Sequence, residues 1–191
     1  MDQIKNGMPI ELFTTAEQWH SWLVAHNKDS GVWLRFYKKG QGESITHDIA
    51  LDEALCFGWI DSQAASYDTS SYLQKFTPRR PKSIWSKRNI EHIERLTSEG
   101  RMAPQGQAEV EAAKADGRWQ QAYDSPANME IPQDFLDKLA QNPEAGTFFE
   151  TLNKTNRYSI TWRLQTAKTA VTRERRMNTI MTMLTNHEKF H

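Results

Sequence analysis

Strand-like alternation in this chain stops near residue 80 and only helical spacing follows, and that change constrains the fold more than any composition figure. Before it, Val32, Leu34 and Phe36 alternate with Trp33, Arg35 and Tyr37, the pattern of a strand with both faces in use. After it, apolar residues recur at helical spacing, each stripe able to cover a core. A chain patterned in this way is expected to fold as α+β, mainly helical, with a small, roughly three-stranded sheet and helices in its first part and helices alone in the rest.

Local signals place the elements. Thr14 and Thr15 precede Trp19, Trp22 and Leu23, predicting a helix over 15–26. Thr46 can cap a helix over 47–57 that Gly58 ends. Strands are predicted over Val32–Lys38, Trp59–Tyr67 and Tyr72–Phe76, with Asp68–Ser71 as a turn. Beyond Pro81, Ser83 or Ser86 caps a helix carrying Ile90, Ile93 and Leu96, while Pro104, Pro132 and Pro143 suit first helical turns. Ile160, Leu164, Ala167 and Val171 predict one longer helix, with Thr172 as a cap or bend before Met177, Ile180, Met181 and Leu184. Asn186–His191 is expected to fray. The organisation expected is a small α+β subdomain over 1–80 and a helical subdomain over 81–191, packed as one compact unit.

Composition then excludes several classes. Lys plus Arg equals Asp plus Glu at 24 each, and seven Trp, five Tyr and seven Met add buriable surface, so a folded chain is expected and disorder is not. One cysteine, Cys56, rules out an internal disulfide and suits a reducing compartment. With no leader-like apolar start and no run long enough to span a membrane, the expected location is cytoplasmic, without membrane insertion. The zero net charge is unevenly spread: residues 1–78 carry −4, 79–101 carry +4, 102–153 carry −6 and 154–191 carry +6. Either the acidic and basic blocks face one another within the fold, or the basic blocks share a surface that attracts an anion.

The loop Pro78-Arg79-Arg80-Pro81-Lys82 is the clearest place for chemistry. Its prolines stiffen a segment that delivers three cations to the start of a helix, where unpaired N–H groups favour an anion. The candidate ligand-binding residues are Asp61, Arg79, Arg80, Ser83, Trp85, Ser86 and Asn89. The alternative is structural: Asp61 or another sheet carboxylate holds one arginine, Ser86 caps the helix and Trp85 fills core. An enzyme on a small anionic substrate would use Asp61 as general base and Arg79 and Arg80 as a clamp.

No other motif stands alone. Cys56 lies in apolar Ala54-Leu55-Cys56-Phe57 and reads as core; no zinc-like spacing, Gly-rich phosphate loop or nucleophile elbow occurs. No catalytic residue, metal or cofactor is assigned. Lys168, Arg173, Arg175 and Arg176 form a second basic set that could pair with Asp134 and Asp137. The zero net charge argues against a nucleic-acid surface. A small anionic ligand or a protein partner is expected.

An ordered series of short pieces resembles the YdeI/OmpD-associated (bacteriocin-protection) family. They are Ala54–Asp61, Phe76–Arg80, Ser83–Asn89, Gly100-Arg101-Met102, Asp116–Trp119 with Ala122-Tyr123-Asp124, and Ala167-Lys168 followed by Thr172–Arg176. The resemblance implies a role in bacteriocin or antimicrobial-peptide protection or stress resistance, and association with a porin. It implies no enzymatic activity and no catalytic set.

Overall fold

The computed structural model describes residues 3–125 and 128–191 and divides into two compact units, Met1–Ala122 and Tyr123–His191. In the first unit β1 (Ile4–Lys5), β2 (Met8–Glu11), β3 (Val32–Tyr37), β4 (Trp59–Ser66) and β5 (Ser71–Pro78) form one sheet in the order β1-β2-β3-β5-β4. It is five-stranded and mixed, which corrects the expectation of roughly three strands. The two additional strands come from the start of the chain, where Asn6 (φ 51) and Gly7 (φ 73) make a tight turn between β1 and β2. Both residues occupy the left-handed region that two-residue hairpins require. β2 then runs parallel to β3, reached through the crossover helix α1 (Ala16–Ala25). A two-residue strand and a four-residue strand containing Pro9 are too short to show alternation, so periodicity alone misses them.

Register explains which residues enter the core. Val32 lies opposite Phe76 and Phe36 opposite Tyr72, placing these with Leu34 on the face that joins the core cluster of Trp19, Leu51 and Leu55. Those last three come from α1 and α2 (His47–Cys56), the latter started by a Thr46 side chain that accepts from Ile49 N. Helix α3 (Lys87–Ser98) and helix α4 (Pro104–Ala115) both pack on α2. At one crossing there is no room for a side chain: a Cβ on Gly106 would stand 2.2 Å from the Cys56 carbonyl oxygen. Because α3 and α4 belong with the sheet, the boundary between compact units falls after Ala122 and not near residue 80.

The second unit holds α5 (Gln133–Ala140), α6 (Pro143–Glu150), α7 (Lys154–Gln165) and α8 (Ala170–Thr185) around Phe135, Phe149, Ile160, Leu164, Met177 and Ile180. The single helix expected through Ile160 and Val171 is two. Thr169 accepts from Thr172 N and caps α8, and Val171 is 78% exposed. Nor does the closing segment fray. Phe190 packs on the core, and His191 N donates to the buried Asn156 Oδ1 at 3.1 Å.

Candidate functional site

The loop between β5 and α3 is built around one stack. Arg79 is 6% exposed and Trp85 1%, with the guanidinium 3.6 Å from the Trp85 ring centroid. Arg79 Nη2 donates to the Ile84 carbonyl at 2.8 Å, and its backbone N–H donates to the Gly58 carbonyl at 2.9 Å. Trp119 packs against Trp85, its ring centroid 5.1 Å from that of Trp85 and tilted by 56°. A planar cation on an indole face is attracted by the ring's negative charge, more so when both are removed from water.

Around that pillar the backbone turns tightly. Ser83 donates through N and Oγ to the Arg80 carbonyl, at 3.0 and 2.5 Å, and Lys82 between them has φ 65. Arg118 Nη1 donates to the Ser83 carbonyl at 2.9 Å while Arg118 Nε is held by Asp116. Arg80 and Lys82 are left exposed at the apex. Ser86 accepts from Asn89 N at 3.1 Å and so caps α3.

Of the seven candidate residues, six therefore lie on one loop and helix start, and their side chains divide the work. Arg79 and Trp85 hold the loop, Ser83 closes its turn, Ser86 and Asn89 make the cap, and Arg80 faces solvent. Asp61, on β4 opposite Phe76, accepts from His47 Nε2 at 3.0 Å. Its hydrogen bond raises the His47 pKa above the ordinary imidazole value, against the opposing effect of burial. An Asp61 engaged in this way is a poor free base. His47 escaped the sequence reading because its partner is fourteen residues away, and only the pairing of α2 with β4 joins them.

Two further carboxylates on α2 organise a charged network. Asp52 accepts from His92 and Arg95, each at 2.7 Å; burial raises its pKa, but these bonds outweigh it and the pKa lies below the usual carboxylate value. Glu53 accepts from Arg101 and meets His20 at 3.0 Å. Cys56 is buried beside them, and burial followed by the Glu53 charge pushes its thiol up to about 12, where a thiolate nucleophile is inaccessible at neutral pH. In the second basic set, Arg173 pairs with Asp134, and Arg176 donates to the Arg163 carbonyl at 2.6 Å. Among the described residues no group of three or more His, Cys, Asp or Glu could hold a metal ion, and no helix is long and apolar enough to cross a membrane.

Two family models match the chain. Residues 11–109 match a domain of unknown function, DUF8412, and residues 128–187 match "Bacteriocin-protection, YdeI or OmpD-Associated". The family named by the ordered pieces is thus present, over the second unit. The pieces from Ala54 to Met102 lie within the DUF8412 match. No curated protein and no solved structure matches the chain.

Proposed function

The chain belongs to the DUF8412 family and carries the YdeI/OmpD-associated match behind it, and on that premise we propose that it is a non-catalytic binding protein that takes a small oxyanion at the loop before α3. The observation that carries this reading is the buried Arg79–Trp85 stack, which fixes the loop so that Arg80 and Lys82 stand exposed ahead of the helix start. In this reading Arg79 is a positioning residue, and Arg80 and Lys82 are the contacts. A loop already ordered by that stack needs no further backbone ordering on capture, which favours affinity, while the two exposed side chains still give up rotamer freedom. Any part in bacteriocin protection or stress resistance, and any contact with a porin, would follow from that binding step inside the cell.

Inorganic phosphate, titrated into isotopically labelled protein, tests it by amide chemical shifts. The expected result is a saturable shift over Arg80–Asn89 that the double substitution Arg80→Ala, Lys82→Ala removes while the remaining spectrum is kept. Shifts confined to other segments, or the same shifts in the double variant, would sink the proposal.

A further inference from the structure

A second concentration of positive charge lies within the second unit and has a different character. Arg163 on α7 and Arg175 and Arg176 on α8 line one groove of about 300 Å3, whose walls also include Trp162, Ile180 and Phe190. The hydrogen bonds of these guanidiniums go to neutral oxygens. Arg163 Nη1 donates to the Ser159 carbonyl at 2.8 Å, and Arg176 Nη1 to the Arg163 carbonyl at 2.6 Å and to Thr166 Oγ1 at 3.2 Å. Arg173, one turn away, has Asp134 as its carboxylate, whereas among the described residues Arg163, Arg175 and Arg176 have no ion-pair partner.

Like charges without a counter-charge repel one another, and partial burial sharpens the effect between Arg163 and Arg176. Burial, and then the Arg176 charge, hold the Arg163 pKa below the ordinary guanidinium value. The Arg163 guanidinium also stacks on Phe190 at 3.8 Å, which fixes its plane beside an aromatic wall. Phe190 is kept there by the docking of the closing segment through His191 and Asn156.

We infer that this groove is a binding site for a small organic anion, a phosphate or carboxylate group carried on a flat aromatic ring. The oxyanion would neutralise the guanidiniums and accept paired N–H bonds from them. The ring would lie along Trp162, Ile180 and Phe190, where an apolar face replaces water. The volume sits at the small end of ligand pockets, which fits one ring and its acid group. No residue is shared with the loop before α3, so the two proposals stand or fall separately.

Calorimetric titration of the full chain with phenyl phosphate and with inorganic phosphate tests it. Phenyl phosphate is expected to bind one molecule per groove, more tightly than inorganic phosphate. Arg175 is exposed and makes no side-chain hydrogen bond that its loss would orphan, so Arg175→Ala should fold normally and weaken binding by about tenfold. Arg163→Lys, which keeps charge and loses the planar fork, should weaken it too. The comparisons are made in the Arg80→Ala, Lys82→Ala background, which removes the loop site: one equivalent of phenyl phosphate should still bind there, so that failure of the groove and failure of the loop are read apart. No saturable binding, equal binding by Arg175→Ala and Arg163→Lys, or no preference for phenyl phosphate over inorganic phosphate each overturns the inference.

Discussion

Arg79 shows how a side chain can look like a ligand contact in sequence and serve as a support in the fold. Prolines on both sides and a second arginine made the loop legible as a stiff, basic segment. What the sequence could not show was that one of the two arginines is buried, because that depends on Trp85 and, from thirty-four residues beyond Trp85, on Trp119. Removing the Arg79 side chain deletes the stack and the bond to the Ile84 carbonyl, and opens a gap beneath the loop. Arg79→Ala is therefore expected to cost about 2 kcal/mol or more, read as a lower denaturant midpoint, whereas the exposed Arg80→Ala should leave the midpoint within about 0.5 kcal/mol. Equal midpoints for the two variants would remove the distinction between positioning and contact. The same logic applies at Cys56, whose apolar neighbours in sequence correctly announced a buried thiol.

Among the elements, α2 depends most on contacts that sequence spacing does not show. Its cap, Thr46, was readable, and so was its end at Gly58. Its attachment was not: His47 reaches Asp61 on β4, and Asp52 and Glu53 reach α3 and the segment after it. The errors follow the same line. β1 and β2 are too short for a periodic signal, although Asn6-Gly7 was itself a hairpin signal, and the α7–α8 break was hidden by a stripe that continues in phase across it. The His47–Asp61 bond makes a prediction about pH. Its imidazole pKa is raised on folding, so the protonated ring stabilises the folded chain below about pH 6.5, and that contribution is lost as pH rises through the folded pKa. Unfolding free energy should thus fall from pH 6 toward pH 8, by less in Asp61→Asn than in the unmodified chain. Parallel pH profiles would mean that the pair contributes nothing.

For the molecule as a whole, the alternating charge blocks of the sequence are the feature that the fold resolves. Arg88, Arg95 and Arg101 of the first basic block meet Asp48, Asp52 and Glu53 of the preceding acidic block. In the second unit Arg157 meets Glu150 and Arg173 meets Asp134, again basic block to acidic block. Among the described residues, five arginines of the basic blocks thus meet carboxylates of the acidic blocks inside their own unit, as the structural reading of the blocks expected. The arginines of the α7–α8 groove, like Arg80 and Lys82, are not among those pairs. Uncompensated like charges should cost stability that a substitution can recover. Arg175→Gln removes one of them without deleting a hydrogen bond, so it is expected to raise unfolding free energy at low ionic strength by roughly 0.2–0.5 kcal/mol. Salt shortens the reach of the repulsion, so the gain should shrink as ionic strength rises, and it should shrink again when phenyl phosphate occupies the groove. Denaturation curves at low and high salt, with and without that probe, measure all three effects. A variant less stable than the unmodified chain at low salt would mean that the three arginines are already compensated within the fold, and that their excess charge is not what draws an anion to the groove.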